Sequence, residues 1–340
     1  MMDYDDGLIT VKNLVKHFPV NGGFAQKSSI FGIRDRRFRY FSSDRGYVHA
    51  VDDVSFSIKE GETLGLVGES GCGKTTLGRT ILRLTDPDSG KIIFDGRDIT
   101  QIKRSELKNL RKEMQIIFQN PYNALNPRMI VRDLIGEPLY INKIADKKDI
   151  DEKVKGILQI VGLGPEHMNR YPHEFSGGMR QRICIARALS LNPRFIVLDE
   201  PTSALDVSVQ AQIINLLINI QKKTKLAYLF ITHDLGIVRY ISDRIAIMYL
   251  GKIVEISDTT ELFSNPLHPY TQNLLSAIPV PDPKRKRDRK ILLGEIPSPV
   301  NPPKGCRFHP RCDKTIDVCR REEPVMKRCN SNHRVACWLY

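Results

Sequence analysis

The chain has 340 residues, 41% hydrophobic and 27% charged, a globular composition with room for one large domain and a smaller addition. No run approaches the roughly 18 apolar residues of a membrane span, and the acidic start MMDYDDGL lacks the apolar core of a signal peptide, so a cytoplasmic chain is expected. The net charge of +13 would suit an anionic membrane surface or nucleic acid, but its densest runs, Arg34–Phe41 and Lys284–Lys290, read first as solvated loops.

Along the chain, Leu8–Val15 and Val48–Ile58 alternate as strands do. Between them an insertion at about 16–46 mixes arginines with Phe24, Phe31, Phe38, Tyr40 and Phe41. Such aromatics can stack on bases or pack on a subunit or a lipid headgroup. Their place between two strands favours an insertion within one domain over a separate nucleic-acid module. Thr63–Val67 is a short apolar strand that enters Gly68-Glu69-Ser70-Gly71-Cys72-Gly73-Lys74-Thr75-Thr76, and a helix is predicted over Lys74–Leu84. Strand, G-x-x-x-x-G-K-T loop and helix in that order form a phosphate cradle for ATP. Glycines let successive N–H groups face the phosphates, and the helix N-terminus adds its dipole. Lys74 is expected to reach the β- and γ-phosphates, and the Thr75 hydroxyl to ligate Mg2+.

Ile92–Phe94 and Met114–Phe118 are further strands, the second ending at Gln119. Otherwise the region of about 100–192 is helical, with apolar spacing for helices over Met129–Leu139, Asp151–Val161 and Gly178–Leu191. Ser176-Gly177-Gly178 opens the last of these. Serine is a fit N-cap and the glycines leave N–H groups open to an anion, which makes a second phosphate site. One γ-phosphate does not need two cradles from one chain. A twofold dimer, in which each Ser176 loop closes the other chain's cradle, is therefore expected.

Phe195–Leu198 is a buried strand ending at Asp199, a position suited to holding Mg2+ at the edge of an α/β sheet. Glu200 beside it is the expected general base for the attacking water. A helix follows over Val207–Ile220, then a strand over Ala227–Ile231 with His233 at its end. Gln119 would sense Mg2+ and the water, and His233 would hold the γ-phosphate and Glu200 in register. Strand and helix in alternation indicate an α/β core. Arg244–Met248 and Lys252–Glu255 read as a hairpin about Gly251. After Asp258 come a short helix near Pro269–Ala277, a proline-rich basic linker at Pro279–Lys290, and a cysteine-rich end. Five of seven cysteines fall between Cys306 and Cys337. In a reducing compartment this suggests metal over disulfides. Cys306, Cys312 and Cys319 are spaced more widely than zinc-finger pairs, with Cys337 closing the set. Zinc and an iron–sulfur cluster both remain open on the residues alone.

GESGCGKTT, Gln119, FSGGMRQR, FIVLDE, SALD at Ser203–Asp206 and His233 resemble, in order, the Walker A, Q-loop, signature, Walker B, D-loop and switch-histidine motifs of ATP-binding-cassette (ABC) ATPases. The resemblance covers essentially Leu8–Glu255. It implies an α/β P-loop cassette over 1–257, with a RecA-like core, an antiparallel β-subdomain and a helical subdomain, followed by a small metal-binding tail over 258–340. Asp206 joins the nucleotide site by this resemblance. Two positions depart from the pattern: Met179 stands where many cassettes have Gln, and Arg45 or Tyr47 must serve where an adenine-stacking aromatic usually lies. More narrowly, AVDDVSFSI, FQNPYNALNPR, YPHEFSGGMRQR, NPLHPYTQNLLSAIP and IPSPVNPPKGCRFHPRC are similar to the oligopeptide/dipeptide importer ATPases. That implies an ATPase at the cytoplasmic face of the membrane, paired with a second, homologous cassette. It also implies two permeases, contacted near Asn120–Arg128, and an extracellular binding protein. The family resemblance points to a 4Fe–4S cluster on Cys306, Cys312, Cys319 and Cys337, and likens the long insertion to that of the second of the paired ATPases. A nickel or oligosaccharide importer is an alternative. So is a soluble cassette protein acting on ribosomes, although those usually carry two cassettes per chain, and no nucleic-acid partner is expected.

Overall fold

The computed structural model describes residues 7–20, 46–146, 148–277, 294–330 and 332–340. Arg45, the arginine-rich run 34–41 and the basic linker 279–290 lie outside them. Strand β1 (Ile9–Pro19) pairs antiparallel with β2 (Tyr47–Ile58). β1 runs on to Pro19 instead of stopping at Val15, so the insertion starts later than Lys16. Asn13 takes a left-handed φ of 48°, and the register slips after Val11, Leu14 and Lys16. These bulges reset the alternation and hide the strand's second half. Next come β3 (Thr63–Val67), helix α1 (Lys74–Ile81), β4 (Ser89–Phe94) and β5 (Arg97–Asp98). α1 ends short of Leu84 because Arg83 turns left-handed at φ 52°. β2, β1, β4 and β5, in that order, form a four-stranded antiparallel sheet.

Helix α2 (Arg104–Glu113) leads into β6 (Met114–Ile117). After it, α3 (Pro121–Ala124), α4 (Val131–Ile141), α5 (Ile150–Ile160) and α6 (Gly177–Leu189) make a helical layer. Leu134, Ile135 and Leu139 of α4, Val154 and Leu158 of α5, and Ile183 of α6 sit at helical spacing and share one core. The chain returns through β7 (Phe195–Asp199), α7 (Val207–Thr224), β8 (Ala227–Thr232), α8 (Leu235–Ile241), β9 (Arg244–Tyr249) and β10 (Lys252–Asp258). It closes with α9 (Thr259–Ser264), α10 (Pro269–Ser276), α11 (Asp317–Arg321), β11 (Lys327–Arg328) and β12 (Arg334–Val335).

The second sheet has the order β11-β12-β10-β9-β3-β8-β7-β6, parallel from β9 to β6. Both its faces are buried, so its central strands β3, β7 and β8 are buried at every residue and mostly apolar. In β8, Leu229 and Ile231 pack with Phe56 and Leu77 on one side, while Tyr228 and Phe230 pack with Ile213 and Leu217 on the other. Because β3, β6, β7 and β8 are parallel, their carboxyl ends share one edge. Loop 68–73, Gln119, Asp199, Glu200 and His233 all issue there.

The C-terminal segment adds to the sheet edge. β12 pairs with β10, and Ala336 N–H donates to Val254 O at 2.8 Å. His333 Nε2 meets Glu255 Oε1 at 2.7 Å with both side chains fully buried, and Glu255 also accepts from the Leu267 and His268 amides. Burial opposes charge on His333, but the Glu255 hydrogen bond and the Glu261 carboxylate outweigh it and raise the pKa above 6.5. A raised histidine pKa stabilises the fold fully below the unfolded value and loses that contribution as pH climbs through the folded value. The melting-temperature gap between wild type and His333→Gln is therefore expected to be widest in acid and to close with rising pH.

Candidate functional site

The buried strand β3 delivers the chain to Gly68 at the sheet edge. Gly73 takes φ 109°, and a Cβ there would lie 1.9 Å from the Ala50 carbonyl oxygen. Only glycine fits that turn. Gly73 is also the N-cap of α1, with no side chain bonded to the helix's first N–H groups, the arrangement that receives phosphate. Lys74 is only 5% exposed. Its Nζ folds over the loop and donates to Gly68 O at 2.7 Å and Glu69 O at 2.9 Å. Thr75 Oγ1 donates to Asp199 Oδ1 at 2.9 Å, tying α1 to the end of β7. Burial pushes the Asp199 carboxyl up, against the Thr75 hydrogen bond. A hydroxyl and a carboxylate so close are hard oxygen donors of the kind that suit Mg2+.

Glu200 follows with a left-handed φ of 47°. That costs a non-glycine residue about 1–2 kcal/mol, and its N–H bond to Ile231 O at 2.9 Å holds it there. Its Oε2 accepts from Gln119 Nε2 at 2.8 Å and its Oε1 lies 3.1 Å from His233 Nδ1. Two residues from the ends of two other strands, Gln119 after β6 and His233 after β8, thus meet on the carboxylate that follows β7. The Glu200 side chain is 16% exposed and that of His233 60%, so the carboxylate is reachable from solvent but held on both oxygens. An oriented carboxylate of this kind can take a proton from water.

Ser176 caps α6, its Oγ accepting from Met179 N at 3.4 Å. A Cβ on Gly178 would approach Val209 Cγ1 to 2.4 Å, so the glycine lets α6 seat against α7. Among the described residues no hydrogen bond or ion pair joins Ser176, Gly177 or Gly178 to loop 68–76, and Ser176 is exposed. Asp206 is the exposed N-cap residue of α7, without a side-chain capping bond. Tyr47 opens β2 opposite Pro19 and is 54% exposed.

Cys306, Cys312, Cys319 and Cys337 line one cavity with Phe308 and Trp338, while Cys329 is exposed and outside it. Burial pushes the Cys306 thiol up to about 11 and also raises Cys312 and Cys337. Among the described residues no three of these sulfurs lie within 4.8 Å of one another. Tetrahedral zinc, with bonds of about 2.3 Å, would need sulfurs about 3.8 Å apart. One partnership escaped the sequence reading: Glu69 is bound by Arg311 through two hydrogen bonds, at 2.7 and 3.0 Å. Its only sequence signal is a charge of each sign, one in the loop and one between two cysteines, and no periodicity connects them.

Residues 51–203 match the family described as ABC transporter, and residues 254–319 match the oligopeptide/dipeptide transporter C-terminal region. The chain is 49% identical to the oligopeptide transport ATP-binding protein AppF of Bacillus subtilis, over 98% of this chain and 97% of that protein. It is 47% identical to a probable peptide ABC transporter ATP-binding protein, y4tS, of Sinorhizobium fredii, over 98% and 90% of the two chains. Among solved structures it is similar to cbiO1 of Clostridium perfringens, part of the ABC transporter complex cbiONQ (TM-score 0.62, 26% identity, 76% of this chain and 92% of that one). It is also similar to the ATP-binding cassette MJ0796, solved as a dimer in a post-hydrolysis state with ADP and Pi (TM-score 0.61, 25% identity, 74% and 98%).

Proposed function

The chain belongs to the ABC transporter ATPases, among the oligopeptide transport ATP-binding proteins, and from this we propose that it hydrolyses ATP to power peptide import through a membrane permease. The observation that carries the reading is the Glu200 carboxylate held between Gln119 and His233, beside the Thr75–Asp199 pair. The N–H groups of Gly68–Thr76 and the Lys74 ammonium hold the triphosphate. Thr75 and Asp199, with Gln119, would hold Mg2+, which would supply charge compensation to the phosphate oxygens. Glu200 takes a proton from a water whose oxygen attacks the γ-phosphorus in line. The bond from that phosphorus to the β–γ bridging oxygen breaks, and ADP and phosphate result. His233 and Gln119 fix the carboxylate and the water between them, and Tyr47, or Arg45 two residues earlier in the sequence, would cover the adenine.

Ser176 is exposed and Gly177 and Gly178 are half-buried at the start of α6, and in this reading the three receive the γ-phosphate of ATP held by a second, homologous cassette, with Asp206 at the same seam. Support comes from the dimeric cassette MJ0796. The partners are two permeases at the cytoplasmic face of the membrane, fed by an extracellular binding protein. Among the described residues no helix is long and apolar enough to cross a membrane, and attachment would run through the permeases. Cys306, Cys312, Cys319 and Cys337, which line one cavity, would hold a 4Fe–4S cluster, and such a cluster would staple the C-terminal segment. The test is transport by the complex reconstituted in vesicles. ATP-dependent uptake of a labelled oligopeptide is expected, whereas uptake of nickel or an oligosaccharide without peptide would overturn the assignment of cargo.

A further inference from the structure

Glu69 puts a carboxylate inside the phosphate-binding loop. Its carboxylate lies next to amides meant for an anionic nucleotide, and unpaired it would repel that ligand. The structure clamps it at three points. Arg311 donates to both carboxylate oxygens at 2.7 and 3.0 Å, Tyr270 Oη accepts from its N–H at 3.0 Å, and its carbonyl accepts from Lys74 Nζ at 2.9 Å. The Arg311 side chain is 6% exposed and its guanidinium sits over the Tyr249 ring, 5.9 Å from the centroid. Tyr249 and Tyr270 pack together with rings 4.8 Å apart.

The turn that presents Arg311, His309–Arg311, lies between Cys306 and Cys312. It is closed by His309 N–H on Cys306 O at 3.1 Å and Cys312 N–H on His309 O at 3.3 Å, and Cys306 N–H reaches Cys319 O at 2.9 Å. The backbone that aims Arg311 at the phosphate loop is thus the backbone that frames the four-cysteine cavity. We propose that Arg311 is a positioning residue for nucleotide, neutralising and fixing Glu69, and that it makes nucleotide affinity depend on a filled four-cysteine site. The second half of this proposal rests on the cluster reading above; the first half does not.

The test is calorimetric titration of the full chain with MgADP. Arg311→Met is expected to weaken binding about tenfold, because it leaves Glu69 charged beside the phosphates. Adding Glu69→Gln should restore most of that loss, since it removes the stranded charge. A purely structural role for Arg311 would make the double variant at least as weak as the single one, and that result, or unchanged affinity in Arg311→Met, overturns the proposal. If Arg311→Met does not fold, Arg311→Lys keeps the charge but not the two-pronged bond, and should bind between wild type and the tenfold loss; wild-type affinity there contradicts the positioning role. Cys312→Ser is expected to lose bound iron and reproduce the affinity loss together. Iron loss with wild-type affinity overturns the coupling. Iron-free wild-type protein overturns the cluster reading instead, while the Arg311 and Glu69 variants still report on the pair.

Discussion

Glu200→Gln is expected to lower steady-state ATP turnover by about 10²–10⁴-fold, the range associated with loss of a general base, while nucleotide binding stays close to wild type. Glutamine has the size of glutamate, so it can keep one oxygen for Gln119 Nε2 and a polar partner for His233. The left-handed backbone at residue 200 is unchanged, and so is its amide bond to Ile231. What disappears is the ability to accept a proton, together with a negative charge that opposes the γ-phosphate. Hydrolysis should stop and the ATP-bound state should persist. Turnover near wild type would show that another group, His233 foremost, serves as the base.

Lys74→Ala is expected to weaken nucleotide binding by about 10–100-fold, the worth of one or two charge-assisted hydrogen bonds to phosphate. Lys74 Nζ bridges two loop carbonyls, so the substitution removes both the phosphate's cation and the strut that shapes the loop. Equilibrium titration with ATP in EDTA reads binding apart from hydrolysis. Wild-type affinity in that titration would place the triphosphate elsewhere. Together the two variants separate the cradle from the chemistry: one should bind without turning over, the other should bind more weakly.

The loop, the Asp199–Glu200 pair and their order along the chain were legible because each is a local pattern, a strand followed by a turn of fixed chemistry. The convergence of Gln119, Glu200 and His233 was legible only through the motif order, since the contact depends on three parallel strands ending at one edge. Two kinds of feature stayed hidden. Bulges at Asn13 and beyond broke the period of β1, and left-handed residues at Arg83 and Lys225 set helix ends that apolar spacing does not report. The short α8 and α9 lacked enough turns to show a period. Partnerships of long sequence separation had no pattern at all. The pairing of β10 with β12, the buried His333–Glu255 contact and the Arg311–Glu69 bridge bring the C-terminal segment against the phosphate loop, a placement visible only in three dimensions.

The central claim is that the Ser176 loop of this chain closes on ATP held by a second, homologous cassette. It is tested most directly by the solution mass of Glu200→Gln, alone and with the cassette that co-purifies with it, measured by light scattering in MgATP and in MgADP. The account predicts a two-cassette particle in MgATP, single cassettes in MgADP, and single cassettes in MgATP once Ser176→Arg is added. Single cassettes throughout, or a two-cassette particle indifferent to nucleotide and to Ser176, would contradict it.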